Sequence, residues 1–203
     1  PDPAGFFHLR TEPPLMRRLD RAEEAEARAA LAGYLASLPP GRRQTMDRYQ
    51  MVDGAQRVMG CGSIGVLNWI LLCRGVSDED ALFLEIKATR PSCWRPTGGG
   101  HRGREVVEAT QCLQTWADPF LGWTTLKGQP CLVRQWSDHK ASIASAMLAG
   151  GALRDYAALC AMVLATSQDR TGDPAMPAGY ASSSPKQDDA MAAAPLPRAF
   201  YDR

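Results

Sequence analysis

The chain has 203 residues, 45% hydrophobic and 22% charged, enough to bury one substantial core with a smaller appended element. Its 23 basic and 22 acidic side chains leave a formal net charge of +1, which gives no field to gather nucleic acid or an anionic membrane surface. No run approaches the roughly 18 apolar residues that span a bilayer, and the opening Pro1-Asp2-Pro3-Ala4 is no signal peptide, so a soluble cytoplasmic protein is expected.

Six cysteines, Cys61, Cys73, Cys93, Cys112, Cys131 and Cys160, form no C-x-x-C pair, and three lie in apolar runs where a thiol acts as a small hydrophobe. Reduced thiols are expected. His8, His101 and His139 are far apart and lack zinc-ligand spacing, which argues against a metal site built from His and Cys. The chain opens without methionine, which suggests residues upstream.

In chain order, Asp20 can cap a charged helix whose Leu31, Tyr34, Leu35 and Leu38 recur at helical spacing, and Pro39-Pro40 end it. A second helix is predicted over 42–56, with Met46, Tyr49 and Val52 on its buried side, so 1–56 reads as a helical segment. Strands follow at 57–59, 64–73 and 81–88, the last being ALFLEIKA. A loop with Pro91, Pro96 and Gly98-Gly99-Gly100 then leads to a helix over 102–116, with Val106, Ala109, Leu113 and Trp116 on one face. Two further strands near 122–126 and 130–136 complete a lobe over 57–136. A linker and an amphipathic helix, the latter over 152–167, fill 137–173, and a Pro/Ala/Ser-rich tail over 174–203 is expected to pack poorly.

The chemistry concentrates in Gly60-Cys61-Gly62-Ser63-Ile64-Gly65, a G-x-G-x-x-G run after a predicted strand. Glycines there let backbone N–H groups approach phosphate oxygens without obstruction by Cβ. Two architectures use such a loop. A dinucleotide site needs a helix starting at the loop and an acidic residue about 20 positions on, where Glu85 falls. A kinase-like site instead sets the loop between two antiparallel strands, places a lysine on the third strand, and continues with a helix and two more strands. The predicted element order follows the second pattern. Lys87 then stands as the phosphate-binding lysine, with Glu105 or Glu108 of the next helix as its restraining carboxylate; periodicity favours Glu105. Asn68 is the only asparagine and precedes Lys87, so no catalytic asparagine follows the lysine, and no catalytic or metal-binding residue is assigned.

The pieces Gly60–Gly65, Leu82–Lys87, Asp118-Pro-Phe-Leu-Gly-Trp123, Val133-Arg-Gln135 with Asp138 and Lys140, and Asp155-Tyr-Ala157 together resemble the bacterial family known as domain of unknown function 2252, grouped with protein-kinase-like folds. The resemblance runs from about Pro13 to Tyr180. It implies an α+β fold: a kinase-like N-lobe with a five-stranded antiparallel sheet, one helix inserted between strands three and four, two helices before it and one long helix after. It also implies an upstream half carrying the catalytic and magnesium-binding loops. The glycine loop and strand lysine themselves make ATP the expected ligand, held by Gly60, Gly62, Ser63, Gly65 and Lys87, with Glu105 or Glu108 restraining the lysine. Magnesium is expected only with that half. The absent half, or another copy bound through exposed apolar surface, is the expected protein partner. In the family pattern the helix glutamate falls at Glu108, so the choice between Glu105 and Glu108 stays open. A non-catalytic interaction domain on the same fold is the alternative, and Ala88 and Gln168 depart from the family's usual glutamate and histidine.

Overall fold

The computed structural model describes residues 8–58, 65–77, 80–91, 100–136, 143 and 150–172. Its first unit, Pro1–Ala144, is built on an antiparallel sheet of β1 (Met16–Arg18), β2 (Gln50–Arg57), β3 (Asn68–Arg74), β4 (Ala81–Ala88), β5 (Gly122–Leu126) and β6 (Gln129–Gln135). The strand order is β1-β2-β3-β4-β6-β5. Three helices, α1 (Arg21–Ser37), α2 (Pro40–Met46) and α3 (Arg102–Leu113), accompany the sheet, and α4 (Gly151–Thr171) belongs to the second unit, Ser145–Arg203. Among the described residues no helix is long and apolar enough to cross a membrane.

Six strands stand where five are expected, because β1 adds to the edge of β2, with Met16 opposite Arg57 and Arg18 opposite Ala55. The helix predicted over 42–56 is also corrected: α2 stops at Met46 and residues 50–57 are a strand. Helical spacing of Met46, Tyr49 and Val52 loses to pairing on both sides of β2 and to Gly54, which costs a helix interior about 1 kcal/mol. In the strand Gly54 makes room for the Leu19 side chain, whose Cδ1 would stand 2.8 Å from a Cβ at that position. β3 begins four residues later than the expected 64, whereas β4 and β5 fall at the expected positions.

Alternation along β4 sends Leu82, Leu84 and Ile86 to one face, where they form the main core with Trp69, Leu71, Tyr34 and Val133. That face lies under α1. Three long-range bonds fix the helix there: Tyr34 Oη donates to Phe120 O at 2.7 Å, Thr124 Oγ1 to Ala30 O at 2.6 Å, and Trp123 N to Ser37 Oγ at 3.0 Å. Burial pushes the Tyr34 phenol well above its ordinary ionisation range. The opposite face carries a smaller cluster of Leu9, Ala55, Ile70 and Leu72, with Phe83 and Trp136 edge-to-face at 5.9 Å against it. Burial raises the Cys73 thiol to about 12 and that of Cys131 to about 11, so both behave as apolar fillers.

The apolar face predicted for the third helix is not the one that packs. α3 buries Gly103 and Val107, while Val106, Leu113 and Trp116 are exposed, Trp116 at 91%. Close approach decides the rotation: a Cβ on Gly103 would stand 2.3 Å from Cys131 O, so only glycine lets the helix backbone touch β6. Gly103→Ala should therefore destabilise the unit by about 1–3 kcal/mol through overpacking, measured as a lowered urea midpoint with unchanged slope.

Glu23 ties three elements together. It completes a capping box with Asp20 at the start of α1, takes both Arg17 nitrogens from β1 at 2.7 Å, and meets Lys127 of the β5–β6 turn at 3.4 Å. The Arg17 hydrogen bonds are the largest cause of its carboxyl falling from the ordinary 4.5 to about 2. A depressed folded-state value means that its stabilisation is fully present above about 4.5 and is lost as pH falls towards about 2. Glu23→Gln keeps a capping-box side chain but removes the charge. It should lower unfolding free energy by about 1–3 kcal/mol at neutral pH, and denaturation curves of variant and parent should converge as the buffer is taken from pH 4.5 towards 2.

Candidate functional site

The register of four strands sets Lys87 in a cross-strand row. Asn68 on β3 stands opposite Lys87 on β4, Lys87 opposite Leu132 on β6, and Leu132 opposite Trp123 on β5. Directly opposed residues of an antiparallel pair share a face, so Lys87 lies on the side of the sheet away from α1. α3 lies over that same side at the β5–β6 end, for the Arg104 guanidinium sits 5.6 Å from the Trp123 ring centroid and His101 Nε2 is 3.2 Å from Thr125 Oγ1. At the β2 end the face is covered by Leu9, whose N–H donates to the buried Asp53 carboxylate at 2.8 Å.

Between these two covers runs a polar strip. Glu85, two residues before Lys87 and only 5% exposed, receives Arg134 Nε and Nη2 on Oε2, each at 2.6 Å. Its other oxygen accepts Asn68 Nδ2 at 3.1 Å. Arg134 is Glu85's direct cross-strand neighbour, and Asn68 reaches it diagonally from β3. A buried carboxylate is tolerated only with such compensation, and the guanidinium supplies it while remaining half exposed itself. Arg57 stacks at 5.0 Å over Trp136, close to the same face.

The glycine run predicted as the phosphate cradle joins β2 to β3. Gly60, Gly62 and Ser63 lie outside the described residues; Gly65 is exposed, with φ +72°, a conformation that favours glycine. Lys87 is half-buried on β4 and makes no ion pair or side-chain hydrogen bond to a described residue. The two helix carboxylates are not gathered to it. Glu108 is exposed and bonded to Arg104 at 2.7 Å, and Glu105, also exposed, makes no ion pair among the described residues. The structure thus brings Lys87 beside Asn68 and Glu85 instead.

Strand alternation was a signal for Glu85: once Leu84 and Ile86 are core, residues 83, 85 and 87 must share the other face. Arg134 could not be found that way, because its pairing depends on the β4–β6 register. A cleft of about 280 Å3 also touches Gly65, but it opens on the α1 side, lined by Arg17, Glu23, Gln56, Trp69 and Lys127. Lys127 lies 5.1 Å over the Trp69 ring there and is already paired with Glu23 and Glu26.

A family model described as "Uncharacterized protein conserved in bacteria (DUF2252)" matches residues 3–195. Neither a curated protein nor a solved structure matches the chain. With the match spanning nearly all of its length, the chain belongs to the DUF2252 family of uncharacterized bacterial proteins.

Proposed function

We propose that the first unit is a kinase-like nucleotide-binding lobe, in which the glycine run 60–65 covers the phosphates of ATP and Lys87 pairs with their oxygens. The observation that carries this reading is the placement of Lys87: it sits on the strand after the glycine-linked pair β2–β3, and on the face over which α3 lies. The sub-sheet β2-β3-β4-β6-β5, with α3 inserted between β4 and β5, follows the element order that such a lobe requires. A lysine there acts as a point charge on phosphate oxygens, and backbone N–H groups of the loop supply orienting hydrogen bonds.

A dinucleotide module is less well supported, since a helix N-terminus should receive the pyrophosphate directly after the loop. Here residues 65–67 lead into the strand β3, and the sheet is antiparallel throughout. In the kinase-like reading, phosphoryl transfer draws its catalytic aspartate, its asparagine and its magnesium ligands from residues outside this lobe. A second reading, an interaction domain on the same fold, is favoured by one observation: Val106, Leu113 and Trp116 place an exposed apolar stripe along α3 and its C-terminal exit.

Calorimetric titration with ATP and magnesium separates the two. The nucleotide-binding lobe gives saturable heat, and Lys87→Ala weakens the affinity about tenfold or more, the loss of one charge-assisted phosphate contact. A folded parent chain that gives no heat, or an affinity that Lys87→Ala leaves unchanged, would leave only the interaction domain standing.

A further inference from the structure

Asn68 is the only asparagine in the chain, and the two ends of its amide meet different fates. Nδ2 donates to Glu85 Oε1 at 3.1 Å. An ionised carboxylate can only accept, so this bond fixes which end of the amide is nitrogen and which is oxygen. Oδ1 therefore points away from Glu85. Among the described residues it is the one buried side-chain nitrogen or oxygen without a hydrogen-bond partner, on a residue only 2% exposed. An unpaired buried acceptor costs about 1–3 kcal/mol, and a donor within reach recovers that by filling it.

Lys87 is such a donor. It stands directly opposite Asn68 in the β3–β4 register, where the Cβ atoms of paired side chains are roughly 5 Å apart. Its ammonium has three donors and no acceptor, and none of them is engaged by a described residue. Its neighbour on the other side of the row, Leu132, offers no polar side-chain atom.

We propose that Asn68 is the positioning residue for Lys87. Its Oδ1 accepts a hydrogen bond from Nζ, while Glu85 holds the other end of the amide and is itself anchored by Arg134. The lysine is thus restrained by a chain of groups across β3, β4 and β6. The helix carboxylates are left free for other roles, in keeping with the pairing of Glu108 to Arg104. The use of this restraint in aligning phosphate rests on the nucleotide reading above; the contact itself does not.

The single asparagine makes the test direct, because selective isotope labelling of asparagine yields one side-chain amide signal in the NMR spectrum of the whole chain. That signal should shift at neutral pH in Lys87→Met, which keeps the apolar stem and removes the donor, and should stay in place in Lys127→Met on the other face. The same shift is expected in Lys87→Leu, a second apolar side chain that carries no donor. A folded Lys87→Met or Lys87→Leu with an unmoved Asn68 signal overturns the proposal. ATP is then added to the same sample. A response to both Lys87 and ATP supports both readings; coupling to Lys87 with no response to ATP keeps the positioning role and removes the nucleotide site.

Discussion

The seat of α1 on β5 is the constraint from which the rest of the first unit follows. Three hydrogen bonds, from Tyr34, Thr124 and the Trp123 amide, join residues 86 to 94 positions apart in sequence. Gly122 is what allows the helix so close, since a Cβ there would meet Ser37 Oγ at 2.6 Å and the Tyr34 ring at 2.8 Å. With α1 in place, one face of the sheet is sealed by Ala27, Ala30, Tyr34 and Leu38. The other face is left to carry polar side chains. A helix that could not approach β5 would leave the β5–β6 hairpin without its apolar cover, and β6 is the strand that presents Arg134 to Glu85.

The second organising principle is compensation of buried charge. Asp53 and Glu85 are both carboxylates with almost no exposure, at 3% and 5%. Asp53 is satisfied mainly by backbone, through Leu9 N and Gly54 N, with Arg18 at 3.4 Å. Glu85 is satisfied by side chains from two other strands. The difference matters for what each can do. A carboxylate held by main-chain N–H groups pins a segment in place, whereas one held by Asn68 and Arg134 links three strands and passes its orientation to whatever Asn68 touches. Burying an ion pair contributes little net stability by itself, so its value here lies in geometry.

Much of this architecture was legible in the residues. Apolar and β-branched patterning located β4 and β5, Asp20 and Pro39 bracketed α1, and from β3 onward the succession of two strands, a helix and two strands matches the expected one, although the strand expected at 57–59 is instead β2, over 50–57. What failed did so for tertiary reasons. The period of Met46, Tyr49 and Val52 was helical, but β2 gains hydrogen bonds from β1 and β3 that no local window registers. For α3 the apolar residues pointed to the wrong face, since a backbone-to-backbone contact through Gly103 outweighed the burial of Val106 and Leu113. The glycine run and Lys87 were singled out by pattern, and Glu105 by helical periodicity against Glu108 by family pattern, yet neither carboxylate is gathered to Lys87. Alternation along β4 puts Glu85 on the face of Lys87, but Asn68 comes opposite Lys87 only through the β3–β4 register, which composition and spacing do not encode.

β1 is three residues long and carries Arg17 and Arg18, and it occupies one border of the sheet. Long, flat, unpaired strands invite other chains to add on, and natural sheets blunt their borders with short, charged strands. Without β1, Ala55, Gln56 and Arg57 of β2 would lose their pairing and lengthen the free row of main-chain donors and acceptors at that border. The arginine that meets Glu23 thus belongs to a segment that also blunts this border: a three-residue strand paired to Ala55, Gln56 and Arg57 offers a short length of main chain on which another copy could add.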